Sequence, residues 1–263
     1  MKRRILLTVV ALVLAIGMLL TGCAAQTPTG TAMTVLRVGI DNTYPPMEFT
    51  DDSGNTVGFD IDLANAIAAK LNVKVEYVPT AWKSIFTGLD TNKYDCIISS
   101  LSITDERKKT ILFSQPYISN AQVVVVPPSN TTITTPENLK DKIVGVQIGT
   151  TAEAAGTTFQ KTIPFEMKTY DQVIQPFAEL KTGRIDAIIV DEVVARYYIN
   201  KESASYKLSG IKLPPEPIGI GFKLSDTALQ AKVEKIITDM KADGSLGTIS
   251  KKWFGVDITN NLT

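Results

Sequence analysis

The sequence predicts an α/β protein built as two similar lobes, each with its own mostly parallel sheet. Strand-like runs alternate with helix-like runs along the chain, the pattern of a parallel sheet covered by helices. Two segments 91 residues apart echo each other: Phe86, Leu89, Thr91, Lys93, Asp95, Ile97 and Ile98 recur as Phe177, Leu180, Thr182, Arg184, Asp186, Ile188 and Ile189. A looser echo pairs Arg37-Val-Gly39-Ile-Asp41 with Ile143-Val-Gly145-Val-Gln147. Such matches arise either because α/β units look alike or because one plan is used twice. The roughly 230 residues from Thr34 onward are enough for two separate cores.

Taken in order, Leu36–Ile40 reads as a strand. Phe59, Leu63, Ile67 and Leu71 recur every four residues and predict an amphipathic helix, closed by Asn72. Val73, Val75 and Tyr77 alternate with Lys74 and Glu76 as a half-exposed strand, and Tyr94–Ile98 is an apolar strand containing Cys96. Thr104 or Ser102 can cap a helix whose first turn carries Asp105 and Glu106, as the helix dipole favours. Gly149-Thr150-Thr151 follows the strand Ile143–Gln147 and opens a helix, and Asp191-Glu192 precedes the helical run Val193–Tyr197. Two crossings between lobes are expected, near Asn120-Ala121-Gln122 and near Pro214-Pro215-Glu216-Pro217. The lobes would then comprise residues 34–120 with 218–263, and residues 121–217, the first completed by a helix ending at Lys252-Trp253-Phe254.

The N-terminus sets the compartment. Lys2-Arg3-Arg4 precedes the apolar run Ile5–Leu20, which is sixteen residues long. That is short of the about 20 needed to span a bilayer and suits an export signal over residues 1–22. Leu20-Thr21-Gly22-Cys23 resembles the lipobox of bacterial lipoproteins, which implies lipidation at Cys23 and an exported chain held at the outer face of the membrane. Residues 23–33 are small and polar and read as a flexible tether. The 27 basic and 27 acidic residues balance, so no nucleic-acid-binding face is expected. Histidine is absent, and with Cys23 lipidated only Cys96 remains. This excludes disulfides, His or Cys zinc sites and Ser-His or Cys-His catalysis. No metal and no cofactor is expected.

Ligands of open α/β sheets bind beyond the carboxyl ends of the strands. Those ends carry Asp41 and Ser100 in the first lobe, Gln147 and Asp191 in the second. Arg107 has the wrong sign for a helix first turn. It reads either as a fork for a ligand carboxylate or as a surface arginine paired with Asp105 or Glu106. The Thr150 and Thr151 hydroxyls with the free N–H groups there read as an anion site or as an ordinary Thr N-cap, and Asp191 alone reads as a cap.

Gly58-Phe59-Asp60-Ile61-Asp62-Leu63 with Ala64–Ala68 resembles the signature of bacterial extracellular solute-binding proteins for polar amino acids. Ser99–Arg107, Gly145–Thr151, Asp186–Glu192 and Lys252–Gly255 match in order, so the resemblance covers Thr34 to Val256. It implies a type II periplasmic-binding-protein fold, a free amino acid as ligand, an ABC permease as partner, and a monomer. It further implies that Arg107, helped by Thr151, clamps the ligand carboxylate. Asp191, Ser100 and Ser102 would hold the ammonium, Tyr44 and Trp82 would sandwich the aliphatic part, and Asp41 and Gln147 would face the side chain. With Arg107 and Asp191 each used, Asp41 is an acid without a partner. A buried unpaired carboxylate is costly, which favours lysine, arginine or ornithine, with glutamine second. Glu48 is near in sequence, but nothing in the sequence places it in the cleft. The rival enzyme reading is a cyclohexadienyl or arogenate dehydratase, which needs a general acid where Asp191 faces an ammonium.

Overall fold

The computed structural model describes residues 33–260. The export signal, Cys23 and all but the last residue of the tether lie outside the described residues. Among these, no helix is long and apolar enough to cross a membrane.

Strand β1 (Val35–Ile40) opens the first sheet, with Leu36, Val38 and Ile40 fully buried. Three short strands, β2 (Thr43–Tyr44), β3 (Glu48–Thr50) and β4 (Thr56–Val57), form a small antiparallel meander that periodicity did not announce. Helix α1 (Phe59–Leu71) has the bounds read from the sequence. Phe59, Leu63 and Ile67 are buried, and Asn72 ends the helix at φ 56° with its N–H on the Ala68 and Ala69 carbonyls. The half-exposed β5 (Lys74–Pro79), α2 (Ile85–Asp90), β6 (Cys96–Ile97) and β7 (Ile111–Phe113) follow. Cys96 is fully buried and free, and burial pushes its thiol up. The helix expected after Thr104 is only a 3-10 turn at Arg107–Lys109. Thr104 Oγ1 accepts from the Arg107 N–H as expected of a cap, but the chain enters β7 at once, so no helix can propagate.

The second sheet is entered by β8 (Ile118–Val126) and completed by β9 (Ile143–Gln147), β10 (Glu166–Tyr170), β11 (Ala187–Asp191) and β12 (Lys207–Ile218). Its helices are α3 (Thr151–Gln160), α4 (Ile174–Lys181) and α5 (Glu192–Lys201). The chain then returns through β13 (Gly221–Lys223) to the first sheet and ends in α6 (Thr227–Ala242) and α7 (Ser245–Phe254).

The two sheets share one plan. Their orders are β5-β1-β6-β13-β7 and β10-β9-β11-β8-β12, each with three parallel neighbours followed by two antiparallel pairings, so that only the fourth strand is reversed. The register repeats too: Val38 and Gly39 pair with Cys96 and Ile97, as Val144 and Gly145 pair with Ala187 and Ile188. The echoed aspartates do the same work. Asp95 accepts from the backbone N–H of Arg37 at 2.8 Å, and Asp186 from that of Ile143 at 2.8 Å. Each locks the start of the middle one of its sheet's three parallel strands, β1 or β9, to the turn before the neighbouring strand, β6 or β11. This repeated bonding makes the sequence echo one architecture used twice. Between the sheets the two long strands run side by side, Ile118–Ala121 against Pro215–Ile218.

Candidate functional site

The first lobe brings its residues to the cleft through strand ends. Asp41, just beyond β1, is buried, and its N–H donates to Ser99 Oγ at 2.9 Å. Its Oδ1 accepts from the Thr43 hydroxyl at 2.6 Å. Burial raises its pKa, against the bonds from Thr43 and Gln147. Ser100 sits beyond β6 at φ 44°, a left-handed conformation that a serine keeps only when its surroundings hold it. Its N–H donates to Asp60 Oδ2 at 2.7 Å. Arg107 pairs with neither Asp105 nor Glu106; Asp105 binds Lys108. The guanidinium instead lies 5.5 Å and 5.4 Å from the ring centroids of Trp82 and Phe86 and donates to the Ser102 carbonyl at 2.9 Å. Burial lowers its pKa, opposed by the charges of Glu216 and Asp191.

The second lobe answers from the opposite side. Thr150 caps α3, its Oγ1 accepting from the Glu153 N–H. Asp191 stands at the cap position of α5 but makes no capping bond. The cap expectation fails because this carboxylate points into the cleft. There it accepts from the Tyr44 hydroxyl at 2.7 Å, from Gln122 Nε2 at 2.5 Å and from Ser100 Oγ at 3.3 Å. Burial raises its pKa while the Tyr44 and Gln122 donors work the other way.

Several bonds cross from lobe to lobe besides Tyr44–Asp191. Gln147 Nε2 donates to Asp41 at 2.8 Å, Trp82 Nε1 to the Gly149 carbonyl at 2.9 Å, and Lys83 pairs with Asp171 at 2.8 Å. Tyr44, Trp82, Ser99, Ser100, Ser102, Arg107, Thr150, Thr151 and Asp191 line one cavity of about 10 Å³, room for one water. Asp41 and Gln147 are not in that lining; they meet each other beside it. Two residues of the site were missed in the sequence. Glu216 accepts from Thr151 Oγ1 at 2.8 Å and from Gln122 at 3.2 Å. Both had been read only as parts of the crossings. A lone polar residue before the valine run of β8, and a lone acid among prolines, were the signals available.

The electrostatic balance is one-sided. Arg107 feels the charges of Asp191 and Glu216, Asp41 is buried as a third acid beside the cavity, and among the described residues none of these four forms an ion pair. The side-chain oxygens of Gln122 and Gln147 are buried without a donor. The arrangement asks for a ligand rich in N–H donors, with one anionic group for Arg107.

Residues 36–256 match the family of bacterial extracellular solute-binding proteins, family 3. The chain belongs to that family. Among family relatives, the L-cystine-binding protein of Escherichia coli (strain K12) is 36% identical over 225 residues, 85% of this chain and 84% of that one. The histidine-binding periplasmic protein of the same organism is 32% identical over 255 residues, 94% of this chain and 98% of that one. An ancestral arginine-binding protein solved with arginine superposes with a TM-score of 0.82 at 41% identity, covering 85% of this chain and all of the other. The names of these three proteins carry three different amino acids: cystine, histidine and arginine.

Proposed function

We propose that this protein binds one free amino acid between its two lobes and delivers it to an ABC permease, and that the ligand side chain is cationic. Arg107, with Thr151, takes the carboxylate. Asp191, Ser100 and Ser102 take the ammonium, Tyr44 and Trp82 flank the aliphatic stem, and Asp41 with Gln147 meets the side-chain nitrogen. The observation that carries the side-chain choice is the imbalance of one cation against three acids, together with the two amide oxygens that lack donors. A zwitterion leaves that imbalance unchanged, whereas lysine, arginine or ornithine reduces it. Glutamine, which donates without charge, is second. Binding and not turnover is the reading, because the Asp191 carboxyl already accepts from Tyr44, Gln122 and Ser100, the acceptor role that a ligand ammonium would take up.

The hinge of this reading is the strand pair Ile118–Ala121 and Pro215–Ile218. Residues 34–120 and 218–263 form one lobe, residues 121–217 the other, and Cys23 carries the lipid that keeps the monomer at the cell surface. A thermal-shift panel of the twenty amino acids with ornithine and citrulline tests the ligand. Binding to the folded state alone adds about 2.7 kcal/mol at a ligand concentration of 100 Kd. Arginine is expected to raise Tm and its uncharged isostere citrulline to raise it much less. Equal shifts for the two, or the largest shift with glutamate or leucine, would overturn the cationic assignment.

A further inference from the structure

Behind the Ser99–Ser100 turn lies a pair of acids that no ligand contact explains. Glu48, on β3, and Asp60, in the first turn of α1, are both fully buried. Each holds a different residue of that turn: Glu48 Oε1 accepts from Ser99 Oγ at 2.7 Å, and Asp60 Oδ2 accepts from the Ser100 N–H at 2.7 Å. Each also has one buried oxygen with no hydrogen bond, Glu48 Oε2 and Asp60 Oδ1. The Tyr117 hydroxyl beside Asp60 is likewise unpartnered, and one phenol can supply a donor to only one of the two oxygens. Among the described residues no lysine or arginine pairs with either acid. The groups around the pair are Asp41 beyond β1, Tyr44 on β2, Tyr117 before β8 and Asp191 across the cleft, all acidic or phenolic.

Two carboxylates cannot both stay ionised, side by side and out of water, without a cation. A proton between the two leftover oxygens settles both at once, since a protonated carboxyl becomes a donor. We propose that Glu48 and Asp60 share a single proton at neutral pH, and that this bridged pair is the positioning device that keeps the Ser99–Ser100 turn in its ligand-facing form. The left-handed φ of Ser100 needs such a restraint, because the strained residue is held by the bond to Asp60 on its N–H and by Asp191 on its hydroxyl. The electrostatics agree in direction. Burial, then the neighbouring Asp60, holds Glu48 well above the usual carboxylate range, and burial moves Asp60 up to about 6 against the Ser100 N–H.

The sign of the pH effect follows. Acids raised in the folded state cost nothing below their unfolded pKa, and the cost grows as pH rises through the folded value. Stability, and with it the geometry of Ser100, is therefore lost toward alkaline pH. The positioning role rests on the amino-acid-binding reading; the shared proton does not. Infrared spectra of the unliganded protein at pH 7 should contain the carbonyl band of a protonated carboxyl that disappears in Glu48→Gln. That variant supplies a permanent N–H donor to Asp60, so it should also flatten the alkaline decline of Tm and of L-arginine affinity. Glu48→Ala, which supplies no donor, should lose about tenfold or more in affinity; if it fails to fold, Glu48→Gln alone carries the test. No difference band, or a Glu48→Gln protein with the wild-type pH slope, would overturn the proposal. Failure of L-arginine to bind leaves the infrared and Tm readouts intact.

Discussion

Arg107 shows how one side chain is readied for an anion. Its guanidinium packs against both Trp82 and Phe86 and spends one nitrogen on the Ser102 carbonyl, and a second nitrogen is 3.5 Å from the Gly149 carbonyl. The rings and these carbonyls hold a planar fork, which a lysine ammonium cannot reproduce. Arg107→Ala should weaken L-arginine binding about 10- to 200-fold, the equivalent of ~1.5–3 kcal/mol for a charge-assisted contact, with an unchanged far-ultraviolet circular dichroism spectrum. Calorimetry giving an affinity within about threefold of wild type would remove the residue from the carboxylate site. Asp41 makes the complementary point. Its donors, Thr43 and the Gln147 amide, are neutral, so replacing Gln147 by a guanidinium gains a charge pair. Asp41→Asn should therefore weaken arginine by more than it weakens glutamine, and equal losses in calorimetry would count against the charge argument.

At the scale of elements, the middle one of the three parallel strands in each sheet, β1 and β9, passes tightly over its own lobe. A methyl group on Gly39 would lie 2.5 Å from the ring of Tyr94, which is fully buried and whose hydroxyl donates to the Ile85 carbonyl. At the matching position, a methyl on Gly145 would lie 2.7 Å from the terminal carbon of Ile185 and 2.9 Å from Pro176. A fixed ring yields less than the end of an isoleucine. Gly39→Ala should cost about 1–3 kcal/mol of stability, and Gly145→Ala less, measured by chemical denaturation. The reverse order would mean that the two lobes do not use this glycine for the same close approach.

The whole molecule turns on what closure costs. Bringing the lobes together buries Asp41 and Asp191 with neutral donors only, a penalty that grows with desolvation. Against it stand Trp82 on Gly149 and the exposed pair Lys83–Asp171, the latter worth at most about 1 kcal/mol. On the proposed function, a cationic amino acid would reverse the balance by supplying positive charge where closure strands the acids. On the same reading it would enter through an open form, since a molecule of about ten heavy atoms exceeds a cavity of about 10 Å³. Ligand contacts thus differ between the two forms, as a population shift requires. Small-angle scattering should show the radius of gyration falling on addition of L-arginine. An unchanged radius at saturation would show that closure does not depend on the ligand.

Local pattern alone determined the α/β class, the bounds of α1 with its Asn72 end, and the repeated plan marked by Asp95 and Asp186. These are short-range facts: periodicity, caps and a turn that bonds back to the neighbouring strand. The family was legible as well, because its motifs are contiguous. The tertiary structure alone decided the rest. It shortened the segment after Thr104 to one turn, since β7 begins before a helix can propagate. It turned Asp191 away from its helix toward Tyr44, 147 residues distant in sequence, and brought Gln122 and Glu216 together from the two crossing strands. It also paired Glu48 with the site through Ser99. Each of these depends on which surfaces meet when two lobes pack, and long-range contact between single polar residues leaves no periodic trace in the chain.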